Sequence, residues 1–307
     1  MRELLLLVFL GLFLPDGSCQ SRNKDNSTDI HFSVPLKIHI SARVLEKSED
    51  KGSETTYTDQ ASLKLPPGYS TSGKPTRLIY CAHGAGGGVT SDQWFLNNYA
   101  LVDTLLANGY AIFDVNGGES VENMGGPMVV QSAFNAYLYI LKHYNIEQKI
   151  FVAGLSMGGL SSTNFISKYP EIVLAQGLFS PVLDLYSQAW KHPWLPTTRQ
   201  AIANVFEFND RSGKTWESEK VAGWNPMLRN MTPGIKETFK TYPVPVKIWH
   251  GIDDPIVQEK FSRDFQKYIL KSGGSCDLHE LDSRDHGLSC GNPMINHELV
   301  LYFRRFE

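Results

Sequence analysis

Gly154-Leu155-Ser156-Met157-Gly158, with Gly159 behind it, sets one serine inside a frame of glycines. The residues before it, Lys149-Ile150-Phe151-Val152-Ala153, read as a central strand, and Gly158 to Lys168 after it read as a helix. A serine on a sharp strand-to-helix turn holds its hydroxyl clear of the backbone. The flanking glycines let neighbouring main chain pass without a Cβ clash. The N-terminus of the following helix offers N–H groups and the positive end of a dipole to a developing oxyanion. Residues of these types at this spacing suit nucleophilic acyl transfer, with Ser156 as the nucleophile.

Such a serine needs a scaffold, and the rest of the chain supplies one. Strand and helix patterns alternate from Ile30 onward. His31–Val34 and Leu36–Ile40 alternate apolar and polar residues, as half-exposed edge strands do, and Gln60–Leu65 forms a third piece, closed by Pro66-Pro67-Gly68. Further strands are expected at Arg77–Ala82, Ala111–Val115, Leu174–Phe179, Val246–Trp249 and Leu278–Leu281. Helices are expected from Trp94 to Leu106, Val129 to His143 and Asn296 to Phe306. This alternation implies a mostly parallel sheet with helices on both faces, edged by antiparallel strands at the start. One stretch breaks the rhythm. Residues from about Leu185 to Thr241 form a long insertion that carries Tyr186, Trp190, Trp194, Phe206, Phe208, Trp216 and Trp224.

The serine turn in this setting resembles the α/β-hydrolases, in particular their esterase and prolyl-oligopeptidase-like branch. The resemblance covers roughly Leu65 to Glu307. It implies the α/β-hydrolase fold, a mostly parallel twisted sheet with helices on both faces and a helical cap insertion. It also implies a chain order of serine, acid, histidine. His250-Gly251-Ile252-Asp253-Asp254-Pro255-Ile256-Val257 is similar to the family's H-G-x-x-D-x-x-V segment and places the acid at Asp254; Asp253 is the rival. Ser283-Arg284-Asp285-His286-Gly287 follows the last strand, where the family carries its histidine, so His286 takes the role of general base. His83-Gly84-Ala85-Gly86-Gly87-Gly88 resembles the family's oxyanion loop. The hole would be formed by the backbone N–H of Met157 with that of Ala85, or Gly86 as the alternative, and His83 would hold the loop. A phosphate-cradling reading of this loop fails, because no G-K-[ST] follows it and G-x-G-x-x-G is absent.

Composition bounds what else the protein does. Of 307 residues, 42% are hydrophobic and 20% charged, and the formal net charge is −3. These are values for a globular protein without a strong field, and no basic stripe marks a nucleic-acid partner. There is no H-E-x-x-H and no paired C-x-x-C, so neither a metal nor another cofactor is expected. Met1-Arg2-Glu3, the apolar run Leu4 to Leu14, and Gly17-Ser18-Cys19 read as a secretory signal peptide, residues 1–19. The run is too short to span a bilayer as an integral helix. Cys19 leaves lipoprotein anchoring open, although Asp16 departs from that motif. Residues 20–307 are then one secreted or extracytoplasmic hydrolase domain with its cap at about 185–241. Cys81 reads as a small buried hydrophobe. Cys276 and Cys290 flank His286, and export permits a bridge between them or two thiols.

The expected activity is hydrolysis of a carboxylic ester through an acyl-enzyme, the substrate being a small molecule or an ester linked to a polysaccharide. A serine peptidase of prolyl-oligopeptidase type is the alternative. A catalytically inactive hydrolase fold used for binding is the third reading, and the presence of all three triad positions weighs against it.

Overall fold

The computed structural model describes residues 28–40, 53–89, 100–118, 122–185, 195–206, 223–227, 241–286 and 292–307. The signal-peptide segment and Cys290 lie outside the described residues, and with them the choice between a Cys276–Cys290 bridge and two thiols. Cys276 itself is buried.

Eight strands form one sheet. They are β1 (Thr28–Ile40), β2 (Ser53–Leu65), β3 (Arg77–Ala82), β4 (Tyr110–Val115), β5 (Ile150–Leu155), β6 (Val173–Phe179), β7 (Val246–Gly251) and β8 (Cys276–Leu281), in the order β1-β2-β4-β3-β5-β6-β7-β8. β1 and β2 pair antiparallel, as do β2 and β4. All other neighbours are parallel. Among the described residues the α-helices are α1 (Ala100–Ala107), α2 (Pro127–His143), α3 (Gly158–Lys168), α4 (Leu195–Val205), α5 (Lys260–Lys271) and α6 (Pro293–Arg304).

Parallel strands need crossover connections, and helices in those connections cover both faces of the sheet. β4 and β5 are accordingly buried along their whole length. One face packs Val129, Tyr137 and Ile140 of α2, Phe165 of α3, and Phe265 and Ile269 of α5 against Tyr80, Phe113 and Val152. The other packs Leu101 and Leu105 of α1 and Leu299 and Phe303 of α6 against Ile79, Phe151 and Phe179. Full burial of each large side chain contributes about 1.5–3 kcal/mol, so the two layers hold the strand ends rigidly where the loops emerge.

Several elements differ from what the sequence leads one to expect; β2 begins at Ser53 rather than Gln60. β1 runs unbroken through Pro35, paired with Thr58, where two strand pieces are expected. β1 is the outermost strand, and an edge strand tolerates a residue with no N–H to donate. Helix α5 is absent from the sequence reading, although Phe261, Phe265 and Ile269 recur at helical spacing and all three are buried. The expected helix from Trp94 is described only from Ala100 onward. Among the described residues no helix is long and apolar enough to cross a membrane.

Within the insertion, α4 packs Ala201 and Ile202, with the following Phe206, onto Met124, Met157, Leu160 and Val257. Phe206 and Trp224 thus sit in or against a core. The other aromatic residues named for the insertion lie outside the described residues.

Candidate active site

Every group of interest lies at a strand end. Ser156 follows β5 and precedes α3 with φ at 53°, a left-handed conformation that a residue with a Cβ adopts only under strain. The surrounding main chain holds it there. Ser156 N–H donates to Phe179 O at 3.0 Å, and Ser156 O accepts from Val182 N at 2.7 Å and Gly159 N at 2.9 Å. Gly158 is required by close approach, since a Cβ there would lie 2.0 Å from Ala82 O. The N-terminus of α3 is thereby pressed against the end of β3.

Asp254 follows β7 and is buried. Its Oδ1 accepts from Ile256 N at 2.8 Å and Val257 N at 3.0 Å. Its Oδ2 lies 2.6 Å from His286 Nδ1. The other imidazole nitrogen, His286 Nε2, lies 2.8 Å from Ser156 Oγ. A carboxylate on Nδ1 makes that nitrogen the donor, so Nε2 carries the lone pair and accepts the serine hydroxyl. Serine, histidine and acid, 130 and 32 residues apart in the chain, thus stand in one hydrogen-bonded line. Asp253 is exposed, and its backbone N–H donates to Ser283 O at 3.2 Å.

His250 is a participant to which the sequence reading assigned no role. It is fully buried at the end of β7, with Nδ1 2.7 Å from Ser262 Oγ and Nε2 2.9 Å from Val257 O. Nε2 also lies 3.3 Å from Asp254 Oδ2. Its position at the head of the H-G-x-x-D segment is the only sequence signal it leaves.

These contacts set the charge of Asp254. Burial pushes its pKa up. The hydrogen bonds from His250 and His286, the charge of His286 and the Val257 N–H outweigh burial and hold it well below the usual carboxylate range. A carboxyl depressed in the folded state contributes stability above its unfolded value of about 3.9 and loses it as pH falls toward the folded value. Stability should therefore fall less between about pH 5 and about pH 2 in Asp254→Asn than in the wild type. Urea midpoints measured across that range test this, and parallel curves for the two proteins would refute the linkage.

The glycine loop after β3 stands beside the serine. A Cβ on Gly84 would lie 3.4 Å from Ser156 Cβ. Gly87 N donates to Gly84 O at 3.2 Å, closing a turn around Ala85 and Gly86, both exposed, with Gly86 at φ 77°. Met157, buried at the head of α3, is the other residue expected at an oxyanion hole. Beneath the loop, His83 Nδ1 lies 2.8 Å from Asp114 Oδ2 in a buried pair. Among the described residues no group of three or more His, Cys, Asp or Glu side chains is placed to hold a metal ion.

No family model matches the chain, and no curated protein matches it by sequence. Solved structures do. An acylaminoacyl peptidase in complex with Z-Gly-Gly-Phe-chloromethyl ketone superposes with a TM-score of 0.65 at 15% identity, covering 91% of this chain and 41% of that one. A protein assigned as a dipeptidyl aminopeptidase IV from Bacteroides ovatus gives 0.64 at 16%, over 91% and 36%. A puromycin hydrolase gives 0.58 at 17%, over 90% and 40%. The chain spans well under half the length of each. At such identities the likeness is one of fold.

Proposed function

From its α/β-hydrolase fold and the Ser156–His286–Asp254 line, we propose that the protein is a serine hydrolase working through an acyl-enzyme. The observation that carries this reading is the pair of contacts at His286, 2.8 Å to Ser156 Oγ and 2.6 Å to Asp254 Oδ2. Ser156 Oγ attacks an acyl carbonyl while His286 Nε2 takes the hydroxyl proton. Asp254 holds the imidazole in the tautomer that can accept this proton and stabilises the cation that results. The tetrahedral oxyanion sits between the backbone N–H groups of Met157 and Ala85. Collapse expels the leaving group, which receives the proton from His286. Water, deprotonated by the same imidazole, then releases the acid. These residues need no cofactor for any of these steps.

The structural neighbours are named as peptidases or as a puromycin hydrolase, which favours an amide or peptide bond as the scissile bond over the carboxylic ester expected from the sequence. The ester remains the second reading, because the same three groups cleave the more reactive acyl derivative. The charged start, apolar run and small residues of 1–19 support export as the setting, and the substrate would then be a small molecule or an acyl group linked to a polysaccharide.

Wild-type protein should react with a fluorophosphonate, with the adduct mapped to Ser156 by mass spectrometry. It should be assayed with matched pairs of p-nitrophenyl esters and peptidyl p-nitroanilides. Anilide turnover with kcat/KM within about a hundredfold of the ester would establish the peptidase reading. Ester turnover with no anilide turnover would establish the esterase. A well-folded protein that neither labels nor turns over either substrate would overturn the serine-hydrolase reading.

A further inference from the structure

An oxyanion hole made by Met157 and Ala85 draws its two donors from different elements, the head of α3 and the loop after β3. Its strength depends on their relative position, since donors must stand about 2.7–3.1 Å from one point in space. We propose that Asn123 is a positioning residue that ties these two elements together, acting with Ser161, His83 and Asp114; the inference rests on the serine-hydrolase reading above.

Asn123 is 3% exposed and sits in the segment that leads from β4 to α2. Its Oδ1 accepts from Ser161 Oγ at 2.7 Å and from Gly125 N at 3.1 Å. Its Nδ2 faces His83 Nε2 and Asn116 O, each at a longer 3.4 Å. Ser161 lies one helical turn beyond Met157 on α3, and His83 lies two residues before Ala85. One side chain thus contacts both elements that carry the donors, α3 through Ser161 and the start of the loop after β3 through His83.

The contacts determine one another. Two donors on Oδ1 settle the orientation of the amide and turn Nδ2 toward the imidazole. His83 Nε2 must then accept, so the ring proton is on Nδ1, where the Asp114 carboxylate accepts it at 2.8 Å. Asp114 Oδ1 in turn accepts from Val115 N at 2.8 Å. The far end of the loop is held from the same side, with Val89 N donating to Asn116 Oδ1 at 2.8 Å. The loop from His83 to Val89 is therefore clamped at both ends by β4 and the residues after it.

Two further features mark this as a built device. His83, Asp114 and Ser161 are each at most 2% exposed. A buried polar chain of this kind stabilises less than an apolar core of the same volume, but it specifies one geometry. The turn that presents Asn123 is also strained. Met124 has φ 42° and Gly125 φ 65°, closed by Gly126 N donating to Asn123 O at 2.8 Å. A non-glycine residue in the left-handed region costs free energy that the rest of the fold must offset.

The experiment compares Asn123→Ala, Ser161→Ala and Ser161→Thr with wild type, on a p-nitrophenyl ester or anilide that the wild type turns over. Competent sites are counted by fluorophosphonate titration, so a misfolded fraction does not enter kcat. Asn123→Ala should lower kcat per site by about 10- to 100-fold with KM changed by less than about threefold, as expected for misplaced donors. The Ki of a trifluoromethyl ketone should rise in parallel, because that ligand forms the tetrahedral oxyanion. Ser161→Ala, which removes one hydroxyl, should give a smaller loss of about 5- to 20-fold, and Ser161→Thr should restore most of it. If Asn123→Ala does not fold, the serine pair decides. Variants with lowered melting temperatures but wild-type kcat per site and wild-type Ki would overturn the proposal and leave Asn123 a purely structural residue. An inert wild type would instead overturn the hydrolase reading, and this inference with it.

Discussion

Ser156→Ala is expected to lower kcat by about 10⁴- to 10⁶-fold on every substrate the protein turns over, and to abolish fluorophosphonate labelling. The size follows from what the hydroxyl does. Without Oγ no acyl-enzyme can form, and what is left is whatever the oxyanion donors and substrate binding contribute to direct attack by water. The fold should be untouched. Alanine meets the same positive φ of 53° as serine does, and the backbone bonds to Phe179, Val182 and Gly159 do not involve the side chain. The melting temperature should stay within about 2 °C of wild type. Ser156→Gly is the useful companion, since it removes the hydroxyl and also relieves the left-handed strain. It should be equally inactive and more stable. Residual activity within about tenfold of wild type in either variant would remove Ser156 as nucleophile and assign the turnover to another group.

How much of this was legible in the sequence depends on the range of the interaction concerned. Ser156 was legible because its constraint is local. A tight turn with backbone passing at 2.0 Å from a hypothetical Cβ demands glycine at Gly158, within two residues of the serine. The parallel strands were legible as short apolar runs, because burial on both faces leaves no polar side. The choice of Asp254 over Asp253 rested on resemblance, and only the fold separates them, burying one and exposing the other. Helix α5 is hard to see in the sequence although its buried Phe261, Phe265 and Ile269 stand at i, i+4 and i+8. Its signal was present, and its strongly polar outer face obscured it. Asn123 and His250 were not legible as participants. Their partners Ser161 and Ser262 lie 38 and 12 residues away on other elements, and a hydrogen bond across elements leaves no periodic trace.

Asp254→Asn should lower kcat by about 10⁴-fold while the protein remains folded, through the tautomer of His286 rather than through any lost contact with substrate. The wild-type carboxylate accepts on both oxygens. Oδ1 takes the N–H groups of Ile256 and Val257, and Oδ2 faces His286 Nδ1 at 2.6 Å, with His250 Nε2 at 3.3 Å. An asparagine has one acceptor and one donor in those two places. With its oxygen on the backbone N–H groups, its NH₂ faces Nδ1, which must give up its proton to avoid two opposed donors. The imidazole then carries hydrogen on Nε2 and cannot take one from Ser156. With the amide turned round, Nδ1 keeps its acceptor, but the buried N–H of Val257 and the partly buried N–H of Ile256 both face a donor, at a cost of up to about 1–3 kcal/mol for a buried group left unsatisfied. The first arrangement is therefore the one expected. KM should change little, and fluorophosphonate labelling should slow by a factor comparable to the loss in kcat, since both need a deprotonated serine. Asp253→Asn, one residue away on an exposed side chain, should stay within about a factor of two. A loss of less than tenfold in Asp254→Asn, or an equal loss in Asp253→Asn, would mean that the contact at His286 Nδ1 does not set the state of the base.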